Sequence, residues 1–383
     1  MTHLRRALAP GRTGSMAGRA CLVGLAVALV VTAGSFLFAD ESATEITVVD
    51  GQQFAVYDAA FYVTMAKEPA REVIPPFSAR PLVPRIVNLL PFDPLTGFRL
   101  LTGALAGVAA AALLTLLTHF VDERRAIGGV GLFVASYSVL GLVVNPFSTD
   151  AIGVASICWG LLLLVRRSWW WLAVLLLVSG TGRETSAYLL VPMLAVLIWE
   201  RRRPPLGALV ALAAPFAAQV LLRVPGLFYD HLLSFGTDKG PEEILVWNAT
   251  FHGGLLGAAV WAVVAGIGFV AVLAAWGFRW APTEPRLLLT LLVPCVASMG
   301  VASVWPRLLA FALPALVLVA VHAPVRGAVL WIVAGIDVAS ALLALTDKGA
   351  GTSLALAVLA LVGAILVRTA VRHDRAAAVG ASP

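Results

Sequence analysis

Residues 21–39 have the sequence CLVGLAVALVVTAGSFLFA, an apolar run without a single charged side chain. In a helix, about 20 apolar residues cross the roughly 30 Å hydrocarbon core of a bilayer. Four arginines precede this run, and Asp40 and Glu41 follow it directly. The length of the run and the acidic residues after it favour an uncleaved signal-anchor helix over a cleaved signal peptide, with the N-terminus in the cytoplasm.

Similar apolar runs recur along the whole chain. Of the 383 residues, 60% are hydrophobic and 13% are charged, whereas an average soluble domain has about 25% charged residues. A soluble core could not bury so much apolar surface. The sequence therefore predicts an all-α fold, a polytopic transmembrane bundle of about 12 spanning helices. Beyond the first, these are predicted at 99–119, 127–144, 150–165, 169–180, 186–199, 206–222, 254–277, 286–304, 306–321, 327–345 and 352–368.

Arginine clusters between the helices predict the orientation of the chain. With a cytoplasmic N-terminus, the cytoplasmic segments carry 17 of the 27 basic residues and the outer segments carry 15 of the 21 acidic ones. This asymmetry follows the positive-inside rule and places both termini in the cytoplasm. The predicted parts are a basic N-terminus (1–20), a transmembrane domain (21–371) with outer loops at 40–98 and 223–253, and a short tail (372–383). We expect a multi-pass protein of a bacterial cell membrane, and the scattered arginines form no continuous patch for nucleic acid.

The first outer loop has the densest set of ionisable residues in the chain. Two of its acids, Asp50 and Asp58, lie among aromatic residues in VVDGQQFAVYDAAFYVTMA, residues 48–66. A partly desolvated carboxylate is suited to general-base chemistry. The spacing of Phe54, Tyr57, Phe61 and Met65 predicts a short amphipathic helix in the membrane interface, with Asp58 and Tyr62 on its neighbouring face.

Three arginines are candidates for binding an anionic substrate. Arg80 and Arg85 lie in the proline-rich stretch PPFSARPLVPRIVNLLP, residues 75–91, where an arginine fork could bind a phosphate or could extend to lipid headgroups. Arg183 and Glu184 lie in SGTGRETSAYLL, residues 179–190, between two apolar helices. Adjacent opposite charges in such a setting indicate either a site or a structural ion pair.

Asp337 is the one acidic residue well inside a predicted span, and the sequence allows either a function or a structural hydrogen bond for it. The three cysteines, Cys21, Cys158 and Cys295, fall inside apolar runs without metal-ligand spacing, so no metal site is predicted from them. The sequence also has no nucleotide-binding or hydrolase motif in a usable context.

Five short motifs in order along the chain carry a resemblance. They are DGQQF…YDAAFY (50–62), PFSARPLVP (76–84), NPFSTD (145–150), GRETSAYLLVP (182–192) and WPRLLAFALPAL (305–316). Together they resemble bacterial polytopic glycosyltransferases of the GT-C superfamily. That resemblance implies a sugar donor linked through phosphate to a polyprenyl lipid, and a lipid or cell-envelope glycan as acceptor.

The resemblance also implies roles for individual residues. Asp50 or Asp58 would deprotonate the acceptor hydroxyl for an inverting displacement, with Asp40 of the Asp40–Glu41 pair as a third candidate. Arg80, Arg85 or Arg183 would stabilise the departing lipid phosphate, and Glu184 and Tyr62 would help to bind the substrate. A divalent cation beside the aspartate is neither required nor excluded, and no other cofactor is implied.

Two other classes of protein are compatible with this sequence. A lipid or solute transporter also needs many helices and a few buried charges, but transporters concentrate polar groups near the bilayer midplane, whereas here the charges crowd the outer face. A non-catalytic membrane assembly factor would not need aspartates flanked by aromatic residues.

Overall fold

The computed structural model describes residues 13–44, 46–49, 52–54, 58–69, 73, 77–201, 203–224, 241–252, 254–300, 304–346, 355, 356 and 358. Asp50, most of the second outer loop, nearly all of the predicted helix at 352–368 and the C-terminal tail lie outside these residues. Within them the fold is all-helical apart from a short antiparallel hairpin, in which Val48 pairs with Gln53. The predicted all-α class is therefore confirmed for the part of the chain that is described.

The helices and strands follow in this chain order: α1 (Thr13–Phe38), β1 (Thr47–Val49), β2 (Gln52–Phe54), α2 (Ala59–Lys67), α3 (Leu82–Leu89), α4 (Pro94–Leu117), α5 (Glu123–Val134), α6 (Tyr137–Val144), α7 (Asp150–Val165), α8 (Trp169–Gly180), α9 (Leu190–Glu200), α10 (Leu206–Leu221), α11 (Pro241–Phe251), α12 (Leu255–Gly266), α13 (Val270–Gly277), α14 (Thr283–Leu288), α15 (Leu292–Ala297), α16 (Trp305–Ala310), α17 (Leu313–Ala320) and α18 (Gly327–Thr346). Short 3-10 segments lie at Ser42–Thr44, Phe77–Ala79, Glu184–Leu189, Leu289–Leu291 and Ser298–Gly300.

Several predicted helices are divided where the sequence allowed a continuous one. The predicted helix at 127–144 is bent by 46° between α5 and α6, and the one at 254–277 by 77° between α12 and α13. The second bend is possible because Gly268 adopts a φ of 57°, in the left-handed region where a side chain is costly. At 306–321, Pro306 and Pro314 each lie in the first turn of a new helix, where the missing amide N–H is tolerated.

Length and apolar composition identify the segments that could cross a membrane. Among the described residues, three helices qualify, at Met16–Phe38, Pro94–Leu117 and Gly327–Leu345, or up to five spans if each bent pair counts as one. Shorter apolar helices, such as Asp150–Val165 with 16 residues and Trp169–Gly180 with 12, fall short of the roughly 20 residues that cross a bilayer. The described residues therefore include helices long and apolar enough to span a membrane, while the number of about 12 spans remains a prediction.

The predicted interfacial helix of the first outer loop is wrong in its position and its surroundings. Phe54 ends strand β2, and the helix begins only at Ala59. Every residue of α2 from Ala59 to Ala66 is buried, and the ring of Phe61 stacks on that of Phe77 at 4.4 Å. Because AAFYVTMA is small or apolar around the whole helix, α2 packs inside the protein and has no polar face for the membrane surface.

The chain divides into two compact units. Unit 1 contains the described residues of 1–115 and 141–238, and unit 2 contains those of 116–140 and 239–383. In unit 1, α1 crosses α4 at glycines: a Cβ on Gly107 would lie 2.4 Å from the carbonyl oxygen of Gly24, and one on Gly103 would lie 2.8 Å from that of Ala28. Such small residues let two helix backbones approach closely in a membrane.

The order of these contacts shows that α1 and α4 run antiparallel, since the later residue of α1 meets the earlier residue of α4. The last residue of α1, Phe38, and the first of α4, Pro94, therefore lie at the same end of unit 1. We call this the loop end, because both ends of the first outer loop start there.

Candidate functional site

Three separate segments meet at the loop end of unit 1. The Thr102 hydroxyl, in the first part of α4, donates to the Pro146 carbonyl at 2.7 Å and so holds the segment before α7 at this end. A connection of only three residues joins α7 to α8, so the start of α7 and the end of α8 lie together. The Leu82 amide of the first outer loop then donates to the Thr181 carbonyl, just after α8, at 3.4 Å.

Arg80 is the centre of the first ion pair at this end. Its Nε donates to Glu184 Oε2 at 2.8 Å, its Nη2 donates to Glu184 Oε1, and its Nη1 donates to the hydroxyl of Tyr62 at 2.6 Å. A guanidinium that faces a carboxylate with two parallel N–H groups is the strongest geometry for such a pair. The Arg80 side chain is only 10% exposed, whereas that of Glu184 is 50% exposed.

The two charges shift each other's titration. Burial alone would raise the pKa of Glu184, but the charges of Arg80 and Arg183 and the hydrogen bonds from Arg80 outweigh it and lower that pKa to about 2. Burial likewise lowers the pKa of Arg80, but the interactions of Arg80 with Glu184 and Tyr62 together outweigh this effect. The pKa of Arg80 therefore lies above its ordinary value. Both residues are therefore ionised at any physiological pH.

Arg183 forms the second ion pair, beside the first. Its Nη1 lies 2.6 Å from Asp150 Oδ1 and donates to the Thr149 hydroxyl at 3.0 Å. The side chains of Arg183 and Asp150 are 4% and 16% exposed, so this pair is more deeply buried than that of Arg80 and Glu184. The sequence predicted Arg183 as a candidate but not Asp150. Asp150 begins α7, and an acidic residue at the N-terminus of a helix is explained by the helix dipole alone.

A third ion pair joins the two ends of the first outer loop. The Nη2 of Arg99 donates to Glu41 Oε1 at 2.6 Å, and its guanidinium lies 4.7 Å from the ring centre of Phe36 and 5.3 Å from that of Phe147. Sequence reasoning missed Arg99. Two features of the sequence could have indicated this pair: a single arginine in the first two turns of an apolar helix, and an acidic pair directly after another apolar helix.

The other predicted residues have these positions. Asp40 is exposed, and its Oδ1 accepts from the backbone amide and the hydroxyl of Ser42 at 2.9 and 2.7 Å, which closes a local turn. Asp58 is half-buried directly before α2. The Nη2 of Arg85 donates to the Pro69 carbonyl at 3.3 Å, linking α3 to the end of α2. The Tyr62 hydroxyl accepts a hydrogen bond from Nη1 of Arg80.

The loop end therefore brings together Tyr62, Arg80, Arg183 and Glu184 from the predicted set, while Arg85 and Asp40 make local contacts elsewhere in the loop. Arg80 and Arg183 are balanced by Glu184 and Asp150, so this paired cluster has no net charge. In the part of the chain that the structure describes, no group of three or more His, Cys, Asp or Glu side chains could hold a metal ion.

No protein-family model matches this sequence, and neither a curated protein nor a solved structure matches it. The cluster at the loop end holds two buried guanidinium groups, each paired with a carboxylate, and of the two carboxylates only that of Glu184 is half-exposed.

Proposed function

We propose that the chain is a multi-pass membrane glycosyltransferase of the GT-C type. It transfers a sugar from a polyprenyl-phosphate-linked donor to a lipid or cell-envelope glycan on the extracytoplasmic face. The observation that supports this proposal is the charged cluster at the loop end, because three of the motifs behind the resemblance each contribute to it. PFSARPLVP supplies Arg80, NPFSTD supplies Asp150, and GRETSAYLLVP supplies Arg183 and Glu184.

In the proposed reaction, an aspartate of the first outer loop removes the proton from the acceptor hydroxyl, and that oxygen attacks the anomeric carbon as the bond to the lipid phosphate breaks. Asp50 is the first candidate for this base, followed by Asp58 and Asp40. The bond that breaks leaves a negative charge on the phosphate, which Arg80 and Arg183 stabilise.

The paired state of Arg80 gives Glu184 a specific role in this scheme. A carboxylate presents two oxygens to an arginine fork much as a phosphate does. Because its side chain is half-exposed, Glu184 can leave the fork without crossing a packed interior, whereas Arg80 is held from behind by Tyr62. Glu184 thus keeps Arg80 oriented until the donor phosphate replaces it.

The proposed orientation places the loop end outside and both termini in the cytoplasm. It rests on the arginines of the short segments between helices, such as Arg124, Arg125 and Arg201 to Arg203, which the positive-inside rule assigns to the cytoplasm. The polyprenyl-phosphate sugar then reaches the cluster from the outer leaflet, without passing through the protein.

Transfer of a radiolabelled sugar from a polyprenyl-phosphate donor by the purified chain tests the proposal. Arg183→Lys keeps the charge but loses the fork, so it should raise the KM for the donor with little loss of expression. Arg167→Lys is the matched control, because Arg167 pairs with Glu200 away from the cluster. Failure of the wild-type chain to transfer any of a panel of lipid-linked sugars would count against the proposal.

A lipid or solute transporter is the second candidate, and one observation favours it. In unit 2, α12 and α13 are two halves of a helix bent by 77°, and Asp337 lies against the bend. Discontinuous helices beside an intramembrane charge are typical of ion and substrate sites in transporters. Uptake or lipid translocation by the chain in proteoliposomes, without sugar transfer, would decide in favour of this candidate.

A further inference from the structure

The bends of two helices in unit 2 face one buried carboxylate. A crevice between them is lined by Ser136, Tyr137, Val264, Ala265, Ile267, Gly268 and Asp337. Ser136 and Tyr137 lie at the bend between α5 and α6, and residues 264–268 lie at the bend between α12 and α13. Asp337 comes from α18, one of the helices that could cross a membrane. The crevice is therefore in the apolar part of unit 2.

The Asp337 carboxylate is fixed in this crevice by the bend of α12 and α13. Its Oδ1 accepts from the Phe269 amide at 2.7 Å, directly before α13, where a helix N-terminus favours a negative charge. Gly268 leaves the space that the carboxylate fills, since a Cβ there would lie 2.2 Å from Oδ1. The residue is 3% exposed, and its Oδ2 is buried with no hydrogen-bond partner.

The same bend removes hydrogen-bond donors from two backbone carbonyls. In a continuous helix, the amides of Gly268 and Phe269 would donate to the carbonyls of Val264 and Ala265. Here the Gly268 amide donates to the Val263 carbonyl at 3.0 Å, and the Phe269 amide donates to Asp337. The carbonyls of Val264 and Ala265, at the C-terminal end of α12 where the helix dipole favours a cation, lose those helical donors.

The crevice thus has oxygen ligands and a negative charge but no basic residue among its described lining. An ionised carboxylate buried in apolar surroundings needs a partner of opposite charge. One carboxylate balances one positive charge, and the space is too small for a water molecule. Mg²⁺ prefers to keep several of its waters, whereas broken helices in membrane proteins coordinate dehydrated Na⁺ through carbonyl oxygens.

We propose that this crevice binds one Na⁺ ion, held by Asp337 Oδ2 and the carbonyl oxygens of Val264 and Ala265. The Ser136 hydroxyl adds a further oxygen, because its proton is used in a hydrogen bond to the Phe133 carbonyl at 2.6 Å. The ion joins the two halves of the bent helix, since the carboxylate is fixed to the start of α13 and the carbonyls belong to the end of α12. This site is independent of the proposed sugar transfer.

Na⁺ binding to the purified full chain in detergent tests the proposal. We expect saturable binding of radioactive Na⁺, and a thermal unfolding midpoint that rises as NaCl replaces choline chloride at constant ionic strength, because a ligand that binds only the folded state stabilises it. KCl should give a much smaller rise, since the space is too small for a larger ion. Absence of saturable Na⁺ binding would overturn the proposal without any variant.

Two variants locate the ion. Asp337→Asn keeps an oxygen that accepts from the Phe269 amide but removes the charge, so the Na⁺-dependent shift should disappear while the chain still folds. Ser340→Ala, one turn further along α18, removes only a hydroxyl that donates to the Ile336 carbonyl, and it should keep the full shift. An Asp337→Asn chain that still responds to Na⁺ like the wild type would show that Asp337 is only a structural cap for α13.

Discussion

The Arg80–Glu184 pair should respond very differently to the loss of each partner. Glu184→Gln leaves a guanidinium that is 10% exposed without a countercharge. Removing one partner of a fully buried pair costs about 3–5 kcal/mol. Because water reaches half of the Glu184 side chain, we reduce this to about 2–3 kcal/mol. Arg80→Met leaves an exposed carboxylate that water can solvate, so its main cost is the buried Tyr62 hydroxyl left without a donor, about 1–2 kcal/mol.

Thermal unfolding of the purified variants measures this difference. The Glu184→Gln midpoint should fall by about 5–10 °C, at roughly 2–4 °C per kcal/mol for a unit of this size. The double variant Arg80→Met/Glu184→Gln should unfold like Arg80→Met alone, because the buried charge is gone. Glu200→Gln is the matched control, since Glu200 and Arg167 are both more than a quarter exposed and their pair should contribute less than about 1 kcal/mol. If Arg80→Met is more destabilising than Glu184→Gln, the reasoning is refuted.

The difference in stability between the wild type and Glu184→Gln should depend on pH, because the pKa of Glu184 is lowered in the folded state. A group whose pKa is lower in the folded state stabilises the fold above its unfolded value, and that contribution is lost as the pH falls through the folded value. The gap between wild type and Glu184→Gln should therefore be constant from neutral pH to about 4.5, and it should shrink between there and about 2. A gap that closes already between pH 7 and 5 would contradict this.

Three further predictions concern the rest of the chain. Reporter fusions after Arg125, Arg167, Arg203 and Arg326 should report cytoplasm, and fusions within 40–98 should report the outside; a cytoplasmic signal from the first outer loop would overturn the proposed site. Of Asp50→Asn, Asp58→Asn and Asp40→Asn, one should lower sugar transfer by about 10²–10⁴-fold while the chain stays folded, and near-normal transfer by all three would exclude a base in this loop. Gly107→Ala should lower the free energy of unfolding by about 1–3 kcal/mol, because its Cβ meets the Gly24 carbonyl. Gly18→Ala is the control: a Cβ there meets nothing within 4 Å, so the unfolding midpoint should be nearly unchanged or higher.

The helix positions were largely predictable, because apolar runs bounded by charged or turn-forming residues define them. α7 and α8 begin and end at the predicted residues, and α18 differs from its prediction by one residue. The bends were not predictable in the same way. Gly268 is one of many glycines in the apolar runs. It differs from them only in the structure, where the Asp337 carboxylate occupies the space that its side chain would need.

Some residues of the candidate site were predictable from the sequence, but Asp150, Arg99 and the pairing of the charges were not. Charges in apolar turns identified Arg183 and Glu184, and the prolines around Arg80 identified that arginine. The partners could not be predicted, because Arg80 and Glu184 are 104 positions apart and Arg183 could equally have paired with its neighbour in sequence. Aromatic spacing was misleading for α2, since the same residues suit a buried helix and an interfacial one.

The glycine crossing of α1 and α4 has a consequence for the order in which the protein is made. During synthesis, α1 leaves the ribosome long before α4, and the whole first outer loop lies between them in the chain. In the proposed orientation, Gly24 can meet Gly107 only after that loop has crossed the membrane and α4 has been inserted. The contact between Arg99 and Glu41 also requires α4, because Arg99 lies in that helix. The proposed orientation therefore implies that the first outer loop crosses the membrane before its two ends are joined, because the helix that joins them is translated after it.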